Sequence, residues 1–180
     1  GGGGGGGGTE GSTSDGGSND GPSLVYAHTG SALYRVDATT LSTLYIGQIA
    51  GLGTSSLTDL AVDKDQNMVG ITLHKVFSLV ISGSTVTATP IGSGNLPSAV
   101  DGATSLSYIP TSSDPNSDDI LVTADDRGMV YEINPAVGSA SSLGSYGSAA
   151  NGAKISESGD LIGEGGLGAG GSVGIYATVN

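Results

Sequence analysis

The chain has 180 residues, among them 34 glycines, no cysteine and no tryptophan, and 5 basic against 17 acidic side chains give it a net charge of −12. Without cysteine, a disulfide framework and a thiolate metal site are excluded. The cations Arg35, Lys64, Lys75, Arg127 and Lys154 stand singly, which makes nucleic acid and anionic membrane surfaces poor partners. With one Phe (Phe77) and seven Tyr, a core has to come from Val, Ile, Leu and Ala. A glycine share well above the usual ~7% suits a chain that turns often and packs backbones closely.

Two parts follow one another. Residues 1–22 form a Gly-rich leader without an apolar residue, the composition of a flexible tether. No signal peptide is evident, and the polyglycine opening is expected of a processed or trimmed form. The leader resembles the spacer that follows the lipid-carrying Cys of bacterial surface lipoproteins, a residue this sequence does not contain. That resemblance implies export. No later run approaches the roughly 18 apolar residues of a transmembrane helix.

Residues 23–180 form the body. Short alternating or apolar runs, each closed by Gly, Pro, Asn or Asp, predict strands and no helix longer than about two turns. In chain order they are 24–28, 32–36, 44–49, 57–62, 68–73, 76–81, 85–91 and 105–109, then 120–124, 129–133, 140–143, 153–155, 161–163 and 173–179. That density belongs to an all-β barrel, sandwich or propeller.

A repeat lies beneath the strands. LAVDKDQNMVG (60–70) runs parallel to AKISESGDLIG (153–163), and ALYRVD (32–37) to MVYEIN (129–134) and IYATVN (175–180). VFSLVI (76–81) fills the same place in the unit between them. The period of roughly 45 to 50 residues with four short strands is propeller-blade spacing. The pattern resembles bacterial β-propellers whose blades carry L-x-x-L-x-V-D-x-D-G-N-x-x-G and L-Y-x-V-D, although Gln66 stands where such turns usually have Gly. The resemblance implies about three and a half blade-like units of antiparallel strands, where closed propellers have four or more. A Greek-key β-sandwich is the alternative.

The motifs point away from chemistry. Gly163–Gly168 spells a dinucleotide fingerprint, but no helix follows to hold a pyrophosphate. Ser172 sits in a G-x-S-x-G match, again without the helix an elbow needs. His28 and His74 read as strand-surface residues. Asp63, Asp65 and Asn67 have the alternation of a calcium loop, but Met68 and His74 stand where Gly and a bidentate Glu belong, so a self-capped turn is expected. The polar stretch from Asp114 to Asp119 reads as a solvated loop, and Asp125, Asp126, Arg127 and Gly128 as a tight turn. No catalytic, cofactor-binding or metal-ligating residue is assigned, and no cofactor.

Three functions fit these expectations. The first is an extracellular structural protein, not an enzyme, whose partners are other copies of itself. The second is a surface-tethered ligand-binding or adhesive propeller, its ligand unnamed. The third, a propeller-type lyase or hydrolase, suffers from the scarcity of basic and aromatic side chains that could build a pocket.

Overall fold

Strand-forming runs and turn residues alternate throughout the body, and the computed structural model is all-β. It describes residues 24–112, 114, 117–164 and 174–179; the leader at 1–22 lies outside them. The described strands fall into four groups. The first is β1 (Val25–His28), β2 (Ala32–Val36) and β3 (Thr43–Ala50). The second is β4 (Asp59–Val62), β5 (Met68–Ile71), β6 (Lys75–Ser82) and β7 (Thr85–Asn95), and the third is β8 (Ala103–Pro110), β9 (Asp119–Asp125), β10 (Met129–Ile133) and β11 (Ala140–Ser145). A two-stranded group of β12 (Glu157–Glu164) and β13 (Gly174–Val179) completes the set. Neighbours within each group pair antiparallel in sequence order, as meanders rather than Greek keys.

One expected strand is absent. Residues 153–155 contribute only an isolated bridge between Lys154 and Ser148, and β12 begins at Glu157. The three residues of that run are too few to build a ladder, and the turn at 149–153 holds them, with Ala149 donating to the Ala153 carbonyl at 2.8 Å.

The pairing of 60–70 with 153–163 does not hold, because β12 runs through the expected polar turn; what recurs in the fold is a turn type. Asp63 and Asp125 each end a strand, and each accepts two backbone amides through Oδ1: Asp65 and Asn67 at 2.9 and 2.7 Å, Arg127 and Met129 at 3.0 and 2.9 Å. The third residue after each acid takes positive φ, Gln66 at 66° and Gly128 at 74°. Asp37 and Asn134 work alike at the other hairpin. Leu41 and Gly138, four residues on, return their amides to the Asp37 and Asn134 carbonyls at 2.8 Å. The recurring Asp or Asn thus supplies the side-chain acceptor that a tight turn needs.

The first two groups join into one seven-stranded sheet through a short parallel contact in which Ile49 faces Val86 and Ala50 faces Thr87. Glycine allows it. A Cβ at Gly47 would lie 2.3 Å from the Ser84 carbonyl oxygen, and one at Gly51 2.2 Å from that of Ala88. The sheet curls until the β1–β2 turn reaches the approach to β4, where Leu57 donates to the Gly30 carbonyl at 2.8 Å, so it is nearly closed like a barrel.

Three apolar cores separate the successive groups. Leu33, Ile49, Met68, Phe77, Leu79 and Val86 fill the first, between groups one and two. Val69, Ile71, Val76, Leu106, Leu121 and Ile133 belong to the second, and Ile109, Val122, Ala124 and Leu161 form the third. Strand β5 is buried along its whole length because Met68 points into one core and Val69 into the next. Burying each such aliphatic side chain contributes about 1.5–3 kcal/mol.

Candidate functional site

Most polar side chains singled out by sequence are committed to their own turns. Asp63 uses Oδ1 for the two amides above and Oδ2 for the Asn67 side-chain amide at 2.8 Å, so its carboxylate is turned onto its own loop, as expected. Asp125 is fully buried and also accepts from Arg127 Nη2 at 2.8 Å and Nε at 3.2 Å. Arg127 and the Tyr131 hydroxyl both donate to the Ala99 carbonyl, at 2.6 and 2.7 Å, which ties this turn to the loop before β8. In the polar loop, Lys64 donates to the Ser117 carbonyl at 2.9 Å and lies 4.0 Å from Asp118. The Gly165–Gly168 portion of the fingerprint match and Ser172 lie outside the described residues.

His74 is exposed beside a depression of about 400 Å³ that Ser55, Thr58, Thr72 and Lys75 also line. Thr58 already donates to the Ala103 carbonyl at 3.0 Å, and Thr72 accepts the Lys75 amide at 3.1 Å. Among the described residues no acid lines this depression.

His28 departs from the surface reading. Its side chain is only 20% exposed, and Nε2 lies 3.8 Å from Asp59 Oδ1. Nδ1 donates to the neighbouring Thr29 carbonyl at 3.1 Å. The Asp59 carboxylate raises the His28 pKa above 6.5, against the opposing effect of burial, with smaller help from Thr29 and Asp160. Asp59 accepts the Leu60 amide at 2.8 Å and, across to β8, the Leu106 amide at 2.6 Å. It therefore joins β1, β4 and β8.

From β12, Glu157 belongs to the same neighbourhood. It is 5% exposed, and its Oε2 accepts a short hydrogen bond from the Tyr146 hydroxyl in the segment after β11. Oε1 is buried and has no hydrogen-bond partner among the described residues. Burial chiefly raises the Glu157 pKa. Asp160 and Asp59 push the same way, while the Tyr146 hydroxyl and the Gly159 amide pull it down. Burial and the Glu157 carboxyl together drive the Tyr146 phenol up. Among the described residues no three His, Asp or Glu side chains converge as a metal would require.

Sequence inspection passed over this cluster. Its one signal was Asp59, an acid at the head of the otherwise apolar strand β4. Two further features emerged only with the fold: the outer faces of the end sheets. In the first sheet Tyr26 points inward, so its neighbours Val25 and Ala27 face out, beside Val36, Tyr34 and, across from Tyr34, Tyr45. The Tyr34 and Tyr45 rings meet edge to face at 5.5 Å. In the last sheet Leu161 and Ala177 pack inward, and the facing pair Ile162 and Tyr176 lies outward, 59% and 52% exposed.

No protein-family model and no curated protein matches the sequence. A solved structure to which the chain is similar is PorZ, described as an essential bacterial surface component of the type-IX secretion system of Porphyromonas gingivalis. The identity is 14% and the TM-score 0.47, and the match covers 86% of this chain and 20% of that one.

Proposed function

We propose that this chain is an exported, non-catalytic structural module that associates with copies of itself through the outer faces of its end sheets. The observation that carries this is the pair of outer faces. Val25, Ala27, Tyr34, Val36 and Tyr45 on one side, and Ile162 with Tyr176 on the other, are uncharged and repeat the aromatic and β-branched character of the buried cores. Sheet-on-sheet packing continues through the molecule in three cores, and a second copy extends that stacking. The two faces differ, so the contact is head-to-tail and builds a ring or an open filament. Export rests on the cysteine-free composition and the spacer-like leader.

The leader suits a strand-donor role, because a chain without side chains can thread close to a neighbour's backbone. Light scattering of the eluting full chain over an about hundredfold concentration range tests the proposal. Mass should rise with concentration and fall back toward monomer in Tyr45→Lys, Tyr176→Lys or a chain lacking residues 1–22. A full chain that stays monomeric at the highest concentration overturns self-association. The second reading, a tethered ligand-binding module, is favoured by the cluster of His28, Asp59 and Glu157, which draws on three of the four strand groups.

A further inference from the structure

We infer that Glu157 is a pH-responsive latch: while its carboxyl is neutral, β12 and β13 stay docked on β8 and β9, and when it loses its proton to solvent this end sheet is released. The geometry of the carboxyl comes first. Oε2 is satisfied by Tyr146, but Oε1 is shut away from water without a donor among the described residues. A neutral carboxyl tolerates such a position far better than an anion, whose charge is costly to bury unless it is paired.

No cation among the described residues compensates. The groups that bear on Glu157 are Asp160 and the Gly159 amide on its own strand, Asp59 on β4 and the Tyr146 phenol. His28 on β1 is turned to Asp59. Strands β8 and β13 carry no charged side chain. On β9, Asp125 is bound to Arg127, and Asp119 bears on Tyr108 instead. An anion at Glu157 therefore faces two further carboxylates, offset only by the Tyr146 hydroxyl and the Gly159 amide.

The sheet that Glu157 holds is the one most readily released. Among the described residues the core beneath it has four buried members, against twelve and nine in the other two. The β12–β13 ladder is also broken by an irregularity between Glu157 and Leu161. Elements with little buried apolar contact open at the lowest free energy.

The direction with pH follows from both titrating groups. The stability Glu157 contributes is complete below its ordinary value of 4.5 and is lost as pH rises through its elevated folded value. For His28 it is complete below 6.5 and is likewise lost as pH rises through its raised value. Acid therefore closes the latch and rising pH opens it. This inference does not depend on self-association.

Hydrogen exchange of the full chain, corrected for intrinsic rates and read at about pH 5 and about pH 8, tests it. Amides of β12 and β13 should lose protection relative to those of β5 and β9 as pH rises, by up to about tenfold per pH unit at the steepest. Glu157→Gln should remove the Glu157 share of that loss and keep only the fall that follows His28. Equal protection at the two pH values in the unmodified chain, or the same loss in Glu157→Gln, overturns the latch. If the variant fails to fold, a carbon-13 titration of the Glu157 carboxyl in the unmodified chain decides: a midpoint at the ordinary Glu value overturns it, and a raised one supports it.

Discussion

At Gln66 the backbone holds φ of 66°, and at Leu41 φ of 57°, a region that costs an L-residue about 1–2 kcal/mol. Their counterparts in the recurring turns are Gly128 and Gly138, at 74° and 72°. Gln66→Gly and Leu41→Gly should therefore each raise stability by about 0.5–1 kcal/mol once the extra freedom of an unfolded glycine is set against the relieved strain. Urea midpoints read this directly, and a lower midpoint in both variants would contradict the turn equivalence. The position of Gln66 was legible in the sequence as a departure from the usual glycine. Leu41 was not, because nothing in its neighbourhood marks the offset of four residues from Asp37. Asp125 makes the opposite case. Replacing it by Ala orphans the amides of Arg127 and Met129 and unpairs the guanidinium. A loss of about 3 kcal/mol is expected in the same measurement, and a loss near zero would show that water takes over the turn.

At the scale of the element, alternation and punctuation were enough to find nearly every strand. Runs such as MVGI at 68–71 read correctly because a strand buried on both faces must be apolar at successive positions. The run at 153–155 misled because apolar character does not make a ladder without a partner. What the sequence could not disclose was the parallel contact between β3 and β7. It depends on the absence of side chains at Gly47 and Gly51, and these look like any other glycines in a chain with 34. The cluster at Glu157 stayed hidden for a related reason, since its members come from β1, β4 and β12 and the segment after β11. Gly47→Ala places a methyl against the Ser84 carbonyl and should cost about 1–3 kcal/mol, with exchange protection lost first around Ile49 and Val86. Gly83→Ala is the control for crowding, because nothing lies within 4 Å of a Cβ there, although its φ of 61° adds some strain. Equal protection of the contact in Gly47→Ala and the unmodified chain would mean that the sheet shifts to accommodate the methyl.

For the molecule as a whole, charge and apolar surface act against each other. A net charge of −12 repels a second copy at every distance beyond contact, while in the proposed assembly apolar burial at the Tyr45 and Tyr176 faces would act only once water is displaced between them. Salt separates the two effects. Screening shortens the reach of the repulsion to about 10 Å at 0.1 M and leaves apolar burial intact, so association should strengthen with sodium chloride; a contact held by ion pairs would weaken instead. The geometry of assembly has a sharper test. If the first sheet of one copy meets the last sheet of the next, Tyr45→Lys keeps only the Tyr176 face, and Tyr176→Lys keeps only the Tyr45 face. Neither variant alone can extend, because each lacks one half of the contact. Mixed, they retain one complementary pair of faces and should stop at a one-to-one complex of twice the 17.4 kDa chain. Sedimentation of each variant and of the mixture measures this. A like-with-like contact gives a different pattern: one variant dimerises by itself, and mixing adds nothing. That outcome would rule out the ring or filament while leaving both outer faces open to other partners.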